Sequence, residues 1–423
     1  MSHRQAVPTI EVQAGDRGLL GMSAAQFLRD YWQKHPLLIR NAFTDFSNPV
    51  APDDLAGLAC EELSLARIAL HDLKHDRWTL RSGPFAETDF ATLPKTHWTL
   101  LVQDVDKWDV DAAALLVPFD FLPSWRVDDV MVSYAEDGGS VGAHVDQYDV
   151  FLLQGLGRRR WQISTDPSAP KAFRVDAELK LLREFTPTHE WTLEPGDMLY
   201  LPPGVPHHGV ALGACMTYSI GMRAPSQADL LGDFVDHLIE AMPEEWRFVD
   251  ADLEPASSAG EIDDAAMTRV MRAMPWLRFG ESAPSAAKTT SDARSADARA
   301  IDDSVLRTWF GRFITRYRSA HAVAPNPRPL SDAAFARAFE QHAHAQRNPW
   351  SRFAWMRAAR GATLFVAGEQ HACSLKFAQL VCAQAQFSIA AAAASVSDRA
   401  VLRGLVDAGH LALMPPPRVR RAR

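Results

Sequence analysis

Residues 142–161 read GAHVDQYDVFLLQGLGRRRW. His144 and Asp146 lie two apart, and in an extended chain residues i and i+2 face the same side. Both can therefore reach one point. The apolar run DVFLLQG (149–155) predicts a strand, the glycines Gly155 and Gly157 a turn, and RRRWQIS (158–164) a second strand. About fifty residues on, EPGDMLYLPPGVPHHGV (194–210) repeats the logic: a strand, a proline–glycine turn, then His207 and His208. Two histidines and one carboxylate make a facial triad with open coordination positions, a set that suits non-haem Fe(II). Either His207 or His208 can supply the third ligand on this reading.

Working outward, WTLLVQDV (98–105), DVMVSYA (129–135), DMLYL (197–201) and MTYSIGM (216–222) are further short apolar runs between Gly, Pro and Asp breaks. Many short strands punctuated in this way predict a sandwich or barrel, a jelly roll among them. Upstream, Ser23 and Gln26 form a capping pattern for a helix carrying Phe27, Tyr31 and Trp32, and Leu37, Leu38 and Ile39 read as a strand. After Arg223 the period becomes helical, in ADLLGDFVDHLIEAM (228–242) and DDSVLRTWFGRFITRYR (302–318). Between these helices, residues 255–300 are rich in Ala, Ser, Asp and Thr and predict a flexible linker. The last hundred residues offer three helices and two apolar runs, ATLFV (362–366) and HLALM (410–414), which fit a winged helix with its hairpin. Gly409 suits the end of the last helix.

The chain has 423 residues, enough for about three domains. The expected division is 1–223, 224–321 and 322–423. No apolar run approaches the roughly 18 residues of a membrane span, and the N-terminal residues lack the pattern of a secretory signal. Four scattered cysteines without a CxxC pair argue against a zinc ribbon and for a reducing, cytoplasmic setting. The net charge of −8 conceals a split. Residues 1–303 carry 27 basic and 47 acidic side chains, and residues 304–423 carry 17 and 5. Such asymmetry points to a charged partner.

HVDQYDVFLLQGLGRRRW and PGDMLYLPPGVPHHG, with YWQKHPLLIRNAF (31–43), resemble the JmjC family of Fe(II)- and 2-oxoglutarate-dependent oxygenases. Within it they resemble the bacterial ribosomal oxygenases, which hydroxylate an arginine of a large-subunit ribosomal protein. The likeness runs over nearly the whole chain apart from 255–300, which is long for the family. It implies an α+β multidomain fold: a double-stranded β-helix of jelly-roll, cupin-like type, a helical dimerisation region and a winged helix. It also implies a cytoplasmic homodimer with no membrane association.

Carried over by position, the resemblance implies His144, Asp146 and His207 as the iron ligands, with His208 the alternative to His207. The cosubstrates are then 2-oxoglutarate and O2, and the products succinate and CO2. The far carboxylate of 2-oxoglutarate needs a buried cation, and an arginine binds carboxylate through two parallel hydrogen bonds. Strand alternation separates Arg159 from Arg158 and Arg160, and Arg159 is the family position. Ser133 matches a family position that helps hold the cosubstrate, and Thr217 is a candidate of the same kind. On the substrate side, Asp137 is expected to contact the guanidinium, and Gln147 and Tyr148 to line the pocket. The acidic barrel then suits a basic ribosomal protein, and the basic C-terminal part suits contact with ribosomal RNA.

Three other readings compete: an oxygenase acting on another protein or a small molecule, a zinc hydrolase, and an inactive barrel joined to a nucleic-acid-binding regulator. A hydrolase leaves Arg159 unexplained and lacks an evident general base. The regulator needs a basic recognition helix, yet DRAVLRGLVDAG (398–409) sets two arginines against two aspartates.

Overall fold

The computed structural model describes residues 8–255, 262–274, 303–317, 321–341 and 343–414. Ten strands form one large sheet. In chain order they are β1 (Glu11–Gln13), β2 (Leu37–Arg40), β3 (Ala66–Asp72), β4 (Arg77–Ser82), β5 (Trp98–Val102), β6 (Val127–Ala135), β7 (Val150–Ile163), β8 (His189–Leu193), β9 (Met198–Leu201) and β10 (His207–Met222). The spatial order is β1-β2-β9-β7-β10-β6-β5-β3-β4, with β8 paired to β7.

Alternation along the central strands decides what each face does. Val130 and Val132 of β6, Phe151 and Leu153 of β7, and Tyr218 and Ile220 of β10 enter the main apolar core. There the helix Ala24–Asp30, capped by Ser23 accepting from the Gln26 N–H, inserts the fully buried Phe27. Phe27 meets Tyr200 at 4.9 Å and Phe151 meets Tyr200 at 4.8 Å between ring centroids. Burying one such aromatic side chain contributes about 1.5–3 kcal/mol. The intervening residues, Asp129, Met131 and Ser133 on β6 and Thr217, Ser219 and Gly221 on β10, face a cavity instead.

Two sequence expectations change here. No turn breaks β7 at Gly155–Gly157: it runs 14 residues without interruption. Gly157 has φ +61°, and a Cβ there would lie 2.2 Å from the Ala214 carbonyl oxygen. These glycines absorb a register shift against β10 between Leu212 and Met216, so they mark a bulge in a paired strand. The hairpin β3–β4 and the strand β8 were not foreseen, because their sequences, ARIALHD, RWTLRS and HEWTL, mix polar with apolar residues.

The expected linker at 255–300 contains a helix, Asp264–Ala273, whose cap Asp263 accepts from the Ala266 N–H. The remainder of that stretch, except residues 255, 262, 263 and 274, lies outside the described residues. The C-terminal unit has two three-stranded sheets. In chain order their strands are β11 (His344–Arg347), β12 (Phe353–Arg357), β13 (Ala362–Val366), β14 (Glu369–Cys373), β15 (Gln386–Ser388) and β16 (Leu411–Met414). ATLFV and HLALM do not form a hairpin together: β13 lies between β12 and β14, and β16 pairs with β11. The apolar signal marked the buried strand β13, while its partner β14 (EQHAC) reads as polar. Gly409 does follow the last helix, at φ +81°. The helix Asp303–Thr315 packs on this unit, with Gly311 against the Phe365 ring. Among the described residues no helix is long and apolar enough to cross a membrane.

Candidate metal centre and active site

His144 and His207 are joined by backbone: each donates its N–H to the other's carbonyl at 3.0 Å. This two-way bridge sets their rings 4.2 Å apart. Asp146 is placed by the PPG turn, whose Gly204 N–H donates to the Asp146 carbonyl at 2.8 Å. One ligand atom from each of the three residues lies within 4.8 Å of the others. Asp146 Oδ2 is 3.9 Å from His144 Nε2 and 3.5 Å from His207 Nε2. Cis ligands at about 2.1 Å from an octahedral ion would sit roughly 3 Å apart, so small side-chain movements close this set on a metal.

Both rings are oriented for coordination. His144 Nδ1 donates to the Gly142 carbonyl and His207 Nδ1 to the Val205 carbonyl, each at 2.9 Å. A carbonyl only accepts, so the proton is on Nδ1 and the Nε2 lone pair faces Asp146. Burial, then the neighbouring His144, holds His207 well below the usual histidine range, which keeps it a neutral donor. Burial pushes the Asp146 carboxyl up, with His144 opposing. His208 is not part of this cluster. Alternation turns it away toward Phe185, and burial, then Arg159, brings its imidazole down to about 4.

The triad opens into a cavity of about 470 Å³, which Ser133, Tyr148, Arg159 and Thr217 also line. Arg159 is 3% exposed. Its Nη2 donates to the Gly209 carbonyl at 3.3 Å and the Cys215 thiol lies beside it, but among the described residues its Nε and Nη1 have no hydrogen-bond partner of ordinary geometry. Trp161 lies under it, 5.2 Å from ring centroid to guanidinium carbon. A buried cation with unspent donors is costly unless an anion arrives. Ser133 and Thr217 are register partners beside it on β6 and β10. The Ser133 hydroxyl donates to the Thr217 carbonyl at 3.4 Å, and the Thr217 hydroxyl to Gln154 Oε1 at 3.2 Å. The donor set thus fits a divalent metal of the iron type, and Arg159 fits the carboxylate of a small dicarboxylate.

Gln147 and Asp137 stand elsewhere. Gln147 is exposed and outside the cavity lining. Asp137 also lies outside the lining, and its carboxylate accepts from the Gly213 N–H at 2.8 Å. Besides Asp146, the cavity is lined by Asp128 and Asp129, and Asp129 is the buried one of that pair. Its Oδ2 accepts the Asp104 backbone N–H at 3.1 Å, and no cation pairs with it among the described residues. Asp149, also buried, shows the contrast: it accepts from Tyr200, Gln33 and Arg126. Burial, then Asp128 and Asp104, pushes the Asp129 carboxyl up to about 7. The opposite strand offers it room, since a Cβ at Gly221 would stand 3.3 Å from Asp129 Oδ1. Asp129 was legible in principle: it sits four residues before Ser133, on the same strand face.

The comparisons agree with this geometry. Residues 114–230 match the model of the JmjC domain, and residues 295–412 that of the ROXA-like winged helix. Ribosomal protein uL16 3-hydroxylase of Escherichia coli is 35% identical over 310 residues, covering 73% of this chain and 76% of that protein. The chain belongs to the JmjC ribosomal oxygenases. A probable ribosomal oxygenase of Haemophilus influenzae is 40% identical over 206 residues, 48% of this chain and 50% of the relative. The crystal structure of the E. coli ribosomal oxygenase YcfD with cobalt and 2-oxoglutarate superposes with a TM-score of 0.74 at 30% identity. That match covers 93% of this chain and 99% of the other.

Proposed function

We propose that this ribosomal oxygenase hydroxylates an arginine side chain of a large-subunit ribosomal protein, using Fe(II), O2 and 2-oxoglutarate. One observation carries the reading: a single cavity joins an open His-Asp-His triad, a buried arginine with unspent donors, and a buried carboxylate that has no counter-cation among the described residues. His144, Asp146 and His207 would hold the iron. Arg159 takes the far carboxylate of 2-oxoglutarate in charge-assisted hydrogen bonds, with Ser133 and Thr217 beside it. When bound, the metal and cosubstrate supply oxidation of a C–H to C–OH, with release of succinate and CO2.

The chain's own work is placement. Trp161 and the apolar wall of Val150 and Leu152 exclude water around Arg159. Asp129, with Tyr148 and Ser219 also lining the cavity, receives the cationic side chain of the substrate. The acidic balance of residues 1–303 draws in a basic ribosomal protein. A homodimer through the helices after β10 belongs to the same reading. Leu231, Val235 and Ile239 on one helix and Met267 and Met271 on the next are exposed. Light scattering on the full chain tests it, a monomeric mass counting against it. Cytoplasmic location and a contact of the basic C-terminal part with ribosomal RNA complete the proposal. Binding to ribosomal RNA that did not weaken with salt would count against that contact.

The deciding experiment incubates the full chain with large-subunit ribosomal proteins, Fe(II) and 2-oxoglutarate. A 16 Da gain mapped to one arginine, matched by succinate release, is the expected result. Succinate release without modification of any ribosomal protein would redirect the reading to another substrate, and no turnover at all would overturn it.

A further inference from the structure

The C-terminal unit docks directly behind Asp129. Trp350 stacks on His321 at 4.5 Å and meets Trp108 of the catalytic part edge-on at 5.6 Å. Two residues along, Arg352 donates through Nη2 to Asp128 Oδ1. The Arg352 guanidinium also lies over the Tyr317 ring, 4.4 Å from its centroid. The Tyr317 hydroxyl donates to Asp104, and the Asp104 N–H donates to Asp129 Oδ2 at 3.1 Å. Two routes therefore run from the C-terminal unit to one cavity wall. The first passes through Asp128, the chain neighbour of Asp129, and the second through Asp104.

We propose that Arg352 is a positioning residue for the substrate side of the active site: by holding Asp128 in an ion pair, it keeps that carboxylate from the cationic substrate side chain, which Asp129 meets. This rests on the reading of Asp129 as the counterion of the substrate. Asp128 also borders the cavity, so without Arg352 two adjacent carboxylates would share the mouth. Like charges at that spacing favour protonation of one of them, and the more buried one bears the larger penalty. Asp129 is that residue, 7% exposed against 33% for the Asp128 side chain. The freed Asp128 would also compete for the incoming cation at a non-productive position. Arginine suits the task because it stays charged and its planar group can lie flat on Tyr317.

The test uses the full-length enzyme with Fe(II), 2-oxoglutarate, and a pair of peptides carrying arginine or its neutral analogue citrulline. Arg352→Gln keeps most of the stem over Tyr317 and removes the charge. It should raise the arginine-peptide KM about five-fold, the worth of a partly shielded ion pair. It should also narrow the preference for arginine over citrulline, with kcat and the 2-oxoglutarate KM unchanged. Arg352→Lys should recover most of the preference. In the Arg352→Gln background, Asp128→Asn should bring KM back down, because no orphaned charge remains. An unchanged arginine-peptide KM in Arg352→Gln, or a double variant no better than the single, overturns the proposal. Asp129→Asn separates the two layers. If it leaves the arginine-peptide KM unchanged, the counterion reading itself fails. If it raises KM while Arg352→Gln does not, only the role of Arg352 fails.

Discussion

The triad side and the Asp129 side of the cavity are built by different means. On the triad side, two candidate ligands come from one HVD tripeptide and the third is tied to it by a backbone bridge, so hydrogen bonds of fixed length set the geometry. The other side gathers Asp129 from β6, Arg67 from β3 and Tyr148 from the loop before β7, with residues 104 and 352 behind the wall. Metal chemistry needs donor atoms held within tenths of an ångström, and a short motif with paired backbone supplies that. Charge recognition tolerates looser geometry, so its parts can be scattered along the chain.

Variants that attack each side should therefore fail differently. The largest effect belongs to the triad. His207→Ala should lower Fe(II)-dependent succinate release by about 100-fold or more, since even groups behind the ligands are worth 10–100-fold. His208→Ala should cost far less, and equal losses would break the assignment of the triad. Next comes Arg159→Leu, which removes a buried charge partner worth about 2–5 kcal/mol and should raise the 2-oxoglutarate KM at least ~30-fold. Iron affinity, read by metal titration, should change little by comparison.

On the Asp129 side, Asp129→Asn should lower kcat/KM for an arginine peptide by about 10–100-fold, the worth of a hydrogen bond to a charged group. If the loss fell equally on 2-oxoglutarate, the two sides would not be separable. The same residue sets a pH dependence. With its carboxyl pushed up to about 7, peptide kcat/KM in the wild type should fall as pH drops below that value. Stability runs the other way. The folded carboxyl holds its proton more tightly than the unfolded one, so Asp129 lowers stability as pH rises from the ordinary carboxylate range through about 7. Asp129→Asn should therefore gain Tm over the wild type progressively between pH 4 and 8. A Tm difference that is flat across this range would show that Asp129 is not perturbed as described. The smallest effect is expected from Asp137→Ala, within about two-fold in peptide KM, as for a surface group away from such features.

Legibility followed the same divide. The helix at Phe27, the cores of β5, β6 and β9, and the triad region could be read because apolar period, turn residues and ligand spacing are local signals. Arg159 could be separated from Arg158 and Arg160 because a strand alternates, and the family resemblance chose between the two faces. Asp129 and Asp137 were not distinguishable by residue type, since both are aspartates in the β region. What separates them is that Asp129 points inward from β6, while Asp137 caps the turn at Gly213. The hairpin β3–β4 escaped because its strands mix polar and apolar residues, and the pairing of β13 because β14 is polar at the sheet edge.

With its family resemblance, then, the amino-acid sequence determined the order of the parts, the three candidate ligands up to the choice between adjacent histidines, and the choice of Arg159. Most of this depends on neighbours within a few residues, where backbone geometry leaves little freedom. Only the tertiary structure decided that His207 rather than His208 faces Asp146, that Asp129 has no counter-cation among the described residues, and that Arg352 stands behind it. Those facts depend on which strands become neighbours and on the cost of leaving a charge buried. That cost arises only once the chain has closed around the cavity.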